Sequence, residues 1–245
     1  MTIDVYSICY NESKFINLFL THYAQFVNNI IIYDNYSTDD TCNKILKFDK
    51  CATQIIKYDT KNQIRDDIYL EIKNNCWKNS SADFVIVCDL DELLYHPQLL
   101  SFLKNTDYNL FKPVGYNMVS DFFPSDDIQV TEQIKTGALD KWSNKCVLFK
   151  PNETHEINYQ MGCHSCNPIS KTNLKLYDST QNNSQLKLLH YKNLTFKYRF
   201  EKHNAYQVRL SEFNKQNCFG YHYSENYDIQ YNEYLALLKN SSVVI

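Results

Sequence analysis

The amino-acid sequence predicts an α/β domain in which a largely parallel β-sheet is flanked by helices. The first ninety residues alternate between short β-branched runs and segments of helical periodicity. Such alternation requires crossover connections between parallel strands. The chain has 245 residues, of which 44% are hydrophobic and 22% charged, so it is long enough for one folded domain of this class.

The elements of the first half follow one another in a regular order. Ile3–Cys9 is predicted as a strand because the run is apolar and β-branched. Apolar side chains then recur at steps of three and four residues, which predicts an amphipathic helix over residues 15–26, capped by Asn11 or Ser13. The same patterns predict strands at residues 29–33, 54–58 and 84–88 and helices at residues 39–47 and 64–77.

After Pro97 the pattern changes to apolar runs broken by turn residues, over residues 108–119, 145–151, 156–163 and 187–191. Two helices are predicted at the end of the chain, over residues 196–215 and 228–239. The sequence contains no Pro/Gly/Ser-rich linker, repeat or low-complexity segment. We therefore expect the second half to extend the same domain and to form the other wall of its cleft.

Charge and composition exclude several classes of function. The formal net charge is −3, so no nucleic-acid partner and no attraction to anionic lipid is expected. No apolar run approaches the length of a membrane span, about 20 residues, and residues 1–9 lack a basic region followed by a long apolar run, so no signal peptide is expected. Nine scattered cysteines predict reduced thiols and a cytoplasmic location, and a coding bias typical of AT-rich viral or protist genomes allows a host cytoplasm.

Three polar clusters follow three of the predicted strands, and they carry the candidate chemistry. In a parallel sheet the carboxyl ends of the strands lie at one edge, where ligands bind. The clusters therefore predict one binding site at that edge. They are Tyr10, Asn11 and Glu12 after the first strand, Asp34, Asn35 and Ser37 after the second, and Asp89, Asp91 and Glu92 after the fourth.

The carboxylates after the fourth strand indicate a cation site. Asp89 and Asp91 follow a run buried on both faces, and carboxylates this close destabilise one another unless a cation offsets them. Their oxygens suit Mg²⁺ or Mn²⁺, with positions left open for substrate phosphates. The alternative interpretation is a helix N-terminus, where acidic residues complement the helix dipole.

Two further residues have alternative interpretations. Asp34 accepts a hydrogen bond from a nucleobase or ribose, or closes an Asx turn with Ser37 or Thr38. Arg65 clamps a diphosphate, or forms a surface ion pair with Asp66 or Asp67.

These motifs, taken in order, resemble the GT-A glycosyltransferases of family 2, in the branch whose DxD is followed by Glu. The resemblance rests on Asn11-Glu12, the segments 33–41 and 82–92, and later segments around residues 115–120, 145–149, 156–164, 188–192 and 209–211. It implies a mixed, mostly parallel GT-A sheet and a single domain, 1–245. Residues 1–95 would form the nucleotide-sugar-binding half, and residues 96–245 the acceptor-side half with C-terminal helices.

The resemblance also implies roles for individual residues. Asp34 matches the acidic residue that contacts the nucleobase, and Asp89 and Asp91 match the DxD that holds the metal and the diphosphate. His190 resembles a C-terminal histidine that approaches the same metal in some GT-A enzymes. The sequence departs from the family pattern at Asn35 and Tyr36, which stand where the family has Asp and Gly.

We therefore expect a metal-dependent enzyme that moves a sugar from a nucleotide sugar, in particular a UDP-sugar, to a hydroxyl of a glycan or protein, with inversion. Asp121 and Glu156 are the candidate bases, and His164 binds acceptor or phosphate or fills its turn. The alternatives are a non-catalytic sugar-nucleotide or glycan-binding module and a haloacid-dehalogenase-like phosphatase. The phosphatase is disfavoured because Leu93 stands two residues after Asp91 and three strands precede the motif.

Overall fold

Alternating strands and helices build the first half of the molecule, as the sequence pattern predicts. A computed structural model describes residues 1–181 and 184–245. Its first elements are β1 (Ile3–Cys9), α1 (Ile16–Tyr23), β2 (Asn29–Asp34), α2 (Thr41–Lys47), β3 (Ala52–Lys57), α3 (Asp66–Asn75), β4 (Phe84–Val87) and β5 (Glu92–Tyr95).

The second half contributes shorter strands and the C-terminal helices. In order they are α4 (Leu99–Lys104), β6 (Leu110–Lys112), β7 (Val114–Val119), α5 (Val130–Gln133), β8 (Thr136–Leu139), β9 (Leu148–Phe149), β10 (Thr154–Glu156), β11 (Ile169–Ser170), β12 (Leu176–Asp178), β13 (Lys187–Asn193), α6 (Phe196–Gln207), α7 (Glu212–Gln216), α8 (Tyr227–Asn240) and β14 (Ser242–Val243).

The main sheet has the strand order β12-β6-β9-β4-β1-β2-β3. Within it β1 pairs in parallel with β2 and β4, and β2 pairs in parallel with β3. Only β9 runs antiparallel to its neighbours β4 and β6. The expected class, a mixed and mostly parallel sheet flanked by helices, is confirmed.

A second sheet has the order β14-β8-β7-β13-β5, and it interlocks the two halves of the chain. β5, from the first half, pairs antiparallel with β13. Conversely β9, β6 and β12, from the second half, complete the main sheet. Each sheet therefore contains strands from both sides of residue 95, and a division of the chain at that residue cuts through both sheets.

The core packs against both faces of the central strands. All four residues of β4 are buried, as expected for a strand covered on each side. One face carries the large cluster that includes Phe15, Phe19 and Tyr191. The other carries Trp77 against Phe149, with ring centroids 5.0 Å apart. Because both faces of β4 are covered, the acidic residues that follow this strand lie at the edge of the sheet.

Two local predictions were wrong. α1 begins after Phe15 and has no side-chain cap, because Asn11 lies in the left-handed region (φ 52°) and bonds the next loop instead. The helix predicted over residues 196–215 is two helices. α6 ends at Gln207, Leu210 forms a bridge to Ile64, and Ser211 caps α7 through a hydrogen bond from Asn214 N.

None of the helices in residues 1–181 and 184–245 combines the length and the apolar character needed to cross a lipid bilayer.

Candidate active site

The strand order places the polar clusters at one edge of the main sheet, beside its topological switch point. The chain adds β2 and β3 on one side of β1 and then β4 on the other side, so the order reverses between β1 and β4. In register, Cys9 pairs with Asp34 and Tyr6 with Val87. The segments that follow β1, β2 and β4 therefore meet where ligands bind in open α/β sheets.

Glu92 closes the acidic turn after β4. Its side chain is fully buried, and its Oε2 accepts a hydrogen bond from the backbone N of Asp89 at 3.0 Å. Lys145 contacts Glu92 Oε1 at 2.6 Å. Glu92 thus fixes the backbone that presents the two aspartates, which gives the Glu of the DxDE pattern a structural role.

Asp89 is held by two buried lysines. Lys73 on α3 contacts its Oδ1, and Lys145 contacts its Oδ2 at 3.0 Å. Burial raises the pKa of Asp89, but Lys145 and Lys73 outweigh this and hold it well below its ordinary value. Both oxygens of Asp89 therefore have a cationic partner, and its negative charge is offset by side chains of this chain.

Asp91 has different partners on its two oxygens. His190 Nε2 lies 3.3 Å from Oδ1, and Lys202 Nζ lies 3.1 Å from Oδ2. Burial raises the pKa of Asp91, but Lys202 and His190 together lower it well below its ordinary value. The carboxylate is therefore ionised throughout the neutral pH range, as a cation ligand must be.

β13 brings His190 to Asp91. It runs antiparallel to β5, and His190 stands opposite Glu92 in that register. The ring is further held through Nδ1, 3.4 Å from Ser143 Oγ, and Ser143 donates in turn to Asp140 Oδ2 at 2.7 Å. Gly115 permits this approach, because a Cβ there would lie 2.4 Å from the Ser143 backbone.

This hydrogen-bond chain fixes which atoms face one another. Because Ser143 gives its hydrogen to Asp140, its Oγ accepts from the Nδ1–H of His190. In the neutral imidazole the lone pair of His190 Nε2 then faces Asp91 Oδ1 at 3.3 Å, whereas the protonated imidazole donates a hydrogen bond to that oxygen. The position between the two atoms therefore suits a proton or a metal ion.

Asp91 and His190 are spaced as two adjacent ligands of one metal ion would be. Adjacent ligands at bond lengths of about 2.0–2.3 Å lie about 3 Å apart, close to the separation of these two atoms. No group of three His, Cys, Asp or Glu side chains within residues 1–181 and 184–245 has an arrangement that could hold a metal ion. Asp89 faces the lysines instead, so phosphate oxygens and water would complete the coordination.

Glu12 joins the site from the loop after β1. Its carboxylate is buried, lies 2.9 Å from Lys202 Nζ, and accepts from Tyr206 Oη at 3.2 Å. Burial raises the pKa of Glu12, partly against the effect of Lys202. Beside it the guanidinium of Arg209 stacks on the ring of Tyr10, with its carbon 3.5 Å from the ring centroid.

The loops after β1 and β2 are tied together. Asn11 N donates to Ser37 Oγ at 2.8 Å, and Asn11 Oδ1 accepts from Thr38 N at 2.7 Å. Asn35 exchanges two hydrogen bonds with Thr60. Asn11 is thus fastened to Ser37 and Thr38, while the buried Asn35 is fastened to Thr60.

Asp34 forms the turn that sequence reasoning proposed as one of its two roles. Its Oδ2 accepts from Ser37 N at 3.0 Å and contacts Lys57 Nζ at 2.5 Å, while Cys9 Sγ lies 3.3 Å from Oδ1. The side chain is fully buried, so in this arrangement it supports the loop. Tyr36 follows with φ 55°, a conformation that favours glycine.

Three candidate residues have their polar contacts outside the cluster. Arg65 makes two hydrogen bonds to Asp67, Nε to Oδ1 at 2.9 Å and Nη2 to Oδ2 at 2.5 Å, which is the ion pair that the sequence offered as one of its two interpretations. Glu156 forms an ion pair with Lys78 at 2.7 Å. Lys78 lies in the segment that connects α3 to β4. Asp121 is exposed.

His164 has a defined tautomer. Its Nδ1 lies 2.7 Å from the carbonyl oxygen of Trp142, which can only accept, so Nδ1 carries the hydrogen and Nε2 has a free lone pair. Burial and Lys145 lower the pKa of His164 below its ordinary value. The imidazole is thus neutral at pH 7 and able to accept a proton.

Sequence reasoning missed the lysines of the cluster. Lys73, Lys145 and Lys202 are all at least 88% buried at the side chain, with exposures of 10%, 6% and 12%. Their elements are far apart in the sequence, and the chain has many lysines. A cavity of about 710 Å³ lined by His96, Phe102 and Tyr177 shares no residue with the cluster, so charge rather than volume marks the site.

Comparisons with known proteins give only distant structural likenesses. No family model and no curated protein matches this sequence. Staphylococcus aureus TarS 1-349 in complex with UDP is similar at a TM-score of 0.48 and 14% identity, over 88% of this chain and 68% of that one. Glucosyl-3-phosphoglycerate synthase from Mycobacterium tuberculosis, with phosphoglyceric acid, reaches 0.33 and 20% over 46% and 44%.

HddC from Yersinia pseudotuberculosis gives a TM-score of 0.38 and 10% identity, over 78% of this chain and 93% of that one. Likenesses at these scores assign no activity to this chain.

Proposed function

We propose that this protein is a glycosyltransferase that moves a sugar from a nucleotide sugar, in particular a UDP-sugar, to a hydroxyl acceptor. The observation that carries the proposal is the pair Asp91 Oδ1 and His190 Nε2, which lie 3.3 Å apart at the switch point of the sheet. This arrangement suits a divalent cation beside a diphosphate. Composition and fold alone would not distinguish this function.

In the proposed complex, Asp91 and His190 hold Mn²⁺ or Mg²⁺, and the ion neutralises the charge of the leaving diphosphate when it is bound. The loops that carry Tyr10, Asn11, Asn35 and Ser37 line the donor side. Asp34 orders the second of these loops through its bonds to Ser37 and Lys57.

His164 is the proposed base, in place of Asp121 and Glu156. Its Nε2 takes the proton of the acceptor hydroxyl as that oxygen bonds the anomeric carbon and the bond to the diphosphate breaks. A single displacement of this kind inverts the anomeric centre. The support is its fixed tautomer and its position, where its charge is coupled to Lys145 and Asp89.

Release of nucleoside diphosphate from a panel of UDP-, GDP- and dTDP-sugars tests the proposal. We expect UDP release with Mn²⁺ or Mg²⁺, and loss of that release when EDTA is added. Release that is unchanged by EDTA would contradict the metal assignment, and binding without release would contradict the transferase.

A non-catalytic sugar-nucleotide-binding module is the second candidate. One observation favours it: Asp121 is exposed and Glu156 is paired with Lys78, so neither carboxylate is placed as a base in the cluster. Under this candidate UDP and Mn²⁺ bind, and the UDP-sugar is recovered intact after prolonged incubation.

His164→Asn is expected to lower the rate of UDP release by about 10²-fold or more, with little change in the donor KM. The wild-type rate should fall as the pH drops through the pKa of His164, which lies below its ordinary value, because protonation removes the lone pair of the base. The pH profile of the rate checks this.

His155→Asn, at an exposed histidine, is the matched control and should behave as wild type. An unchanged acidic limb in His164→Asn would show that another group takes the proton.

A further inference from the structure

Lys202 bridges two carboxylates of the cluster from helix α6. Its Nζ lies 2.9 Å from Glu12 Oε1 and 3.1 Å from Asp91 Oδ2, and its side chain is 12% exposed. The rings of Tyr198 and Tyr206 lie 5.6 and 5.7 Å from the ammonium. Both ion pairs are with carboxylates, which favour the charged form of the ammonium group.

The same carboxylate of Asp91 is thus shared between two cation positions. Lys202 contacts Oδ2, while Oδ1 faces His190 across the position proposed for the metal ion. An ammonium and a divalent ion on one carboxylate repel each other, and burial weakens the screening of that repulsion.

The charges of the whole cluster lead to the same conclusion. Four carboxylates meet three ammonium groups, so the cluster is close to neutral before any ligand binds. A divalent ion alone would make the cluster net positive, and a diphosphate would then offset the excess. The carboxylates are Glu12, Asp89, Asp91 and Glu92, and the ammonium groups are Lys73, Lys145 and Lys202.

We propose that Lys202 makes metal and donor binding mutually dependent: its ammonium opposes a divalent ion on Asp91 until the diphosphate of the nucleotide arrives. The inference rests on the proposed function, whose donor supplies that diphosphate. Lys202 is therefore a positioning residue that keeps the site from taking up metal alone. It also joins α6 to the loop after β1 through Glu12, so the coupling reaches that helix.

A purely structural role for Lys202 makes a different prediction. If the residue only fastened α6 to the nucleotide side, its removal would lower stability and would leave the relation between metal and nucleotide affinity unchanged. A thermodynamic cycle separates the two roles, because coupling between two ligands has the same magnitude whichever one binds first.

The test is calorimetric titration of Mn²⁺ alone, UDP with EDTA, and Mn²⁺ at saturating UDP. In Lys202→Met we expect Mn²⁺ alone to bind at least about fivefold more tightly than in wild type, and the factor by which UDP strengthens Mn²⁺ binding to fall about tenfold. Lys197→Met is the matched control, since Lys197 lies on the same helix with a side chain 84% exposed, and it should match wild type.

A second variant guards against misfolding, because Lys202→Met leaves Glu12 and Asp91 buried without this cation. Glu12→Gln combined with Lys202→Met removes one negative and one positive charge together, and the same tighter binding of Mn²⁺ alone is expected. Equal Mn²⁺ affinity and equal coupling in both variants and wild type would overturn the inference.

The same titrations distinguish a failure of the proposed function from a failure of the role proposed for Lys202. If wild type binds no UDP at any Mn²⁺ concentration, the donor assignment is wrong, and dependence on a diphosphate is overturned with it. If wild type binds UDP with Mn²⁺ while Lys202→Met shows wild-type coupling, only the role of Lys202 is overturned.

Discussion

Asp91→Asn is expected to lower the rate of metal-dependent UDP release by about 10²–10³-fold. The amide keeps the shape of the side chain, but it loses the charge that faces His190 on one oxygen and Lys202 on the other. A neutral amide is also a poor ligand for a hard divalent ion. Rates at saturating donor, with calorimetric titration of Mn²⁺ in the presence of UDP, check both effects.

Asp83→Asn is the matched control for this variant. Asp83 immediately precedes β4, at the opposite end from Asp91, and its side chain is 57% exposed. We expect activity within about twofold of wild type, since a surface carboxylate contributes little beyond its local bonds to Thr2. If Asp91→Asn, folded by circular dichroism, kept wild-type activity, the cation would not be held where we propose.

The positions of the acidic residues could be predicted from the sequence because they depend only on the order of strands and helices along the chain. Alternating strands and helices imply parallel strands, and parallel strands deliver their carboxyl ends to one edge. Glu12, Asp34 and Asp89 each follow such a strand, so their arrival at that edge required no knowledge of tertiary contacts. The resemblance to family 2 added His190, which periodicity alone would leave as an ordinary strand residue.

The charge balance of the site could not be predicted in this way. Lys73 lies on a helix, Lys145 in an irregular segment before β9, and Lys202 on α6. A lysine is mostly exposed in proteins, and only the folded chain shows that these three are buried against carboxylates. The carboxylates after the fourth strand did signal that a cation was needed, but the expectation of a metal ion did not include the three ammonium groups that the chain itself supplies.

The candidate bases illustrate the other limit of sequence reasoning. Asp121 and Glu156 were chosen as acidic residues in acceptor-side segments, and such residues commonly find a local partner or solvent. Glu156 finds Lys78, and Asp121 stays exposed. The tautomer of His164 depends on one carbonyl twenty-two residues away, that of Trp142, and no local pattern encodes that contact.

Lys145→Met is expected to reduce the free energy of unfolding by about 3–5 kcal/mol. Lys145 is 6% exposed and contacts Asp89 Oδ2 at 3.0 Å and Glu92 Oε1 at 2.6 Å. Removing the ammonium leaves Glu92, which is fully buried, without its cation. Denaturation by urea, followed by circular dichroism, measures the loss.

Two comparisons show whether the uncompensated charge is the cause. Lys145→Met combined with Glu92→Gln removes both partners and keeps an oxygen for the bond from Asp89 N, so most of the lost stability should return. Lys215→Met breaks an exposed pair with Glu212 at 2.9 Å and should cost less than about 1 kcal/mol.

The double variant also separates stability from binding at this site. It should fold nearly as well as wild type, yet Asp89 would retain only Lys73 of its two ammonium partners. If the lysines serve the donor as well as the fold, UDP affinity will stay reduced after stability has recovered. Recovery of both together would mean that Lys145 acts only on the fold, because a restored backbone turn would then suffice to bind the nucleotide.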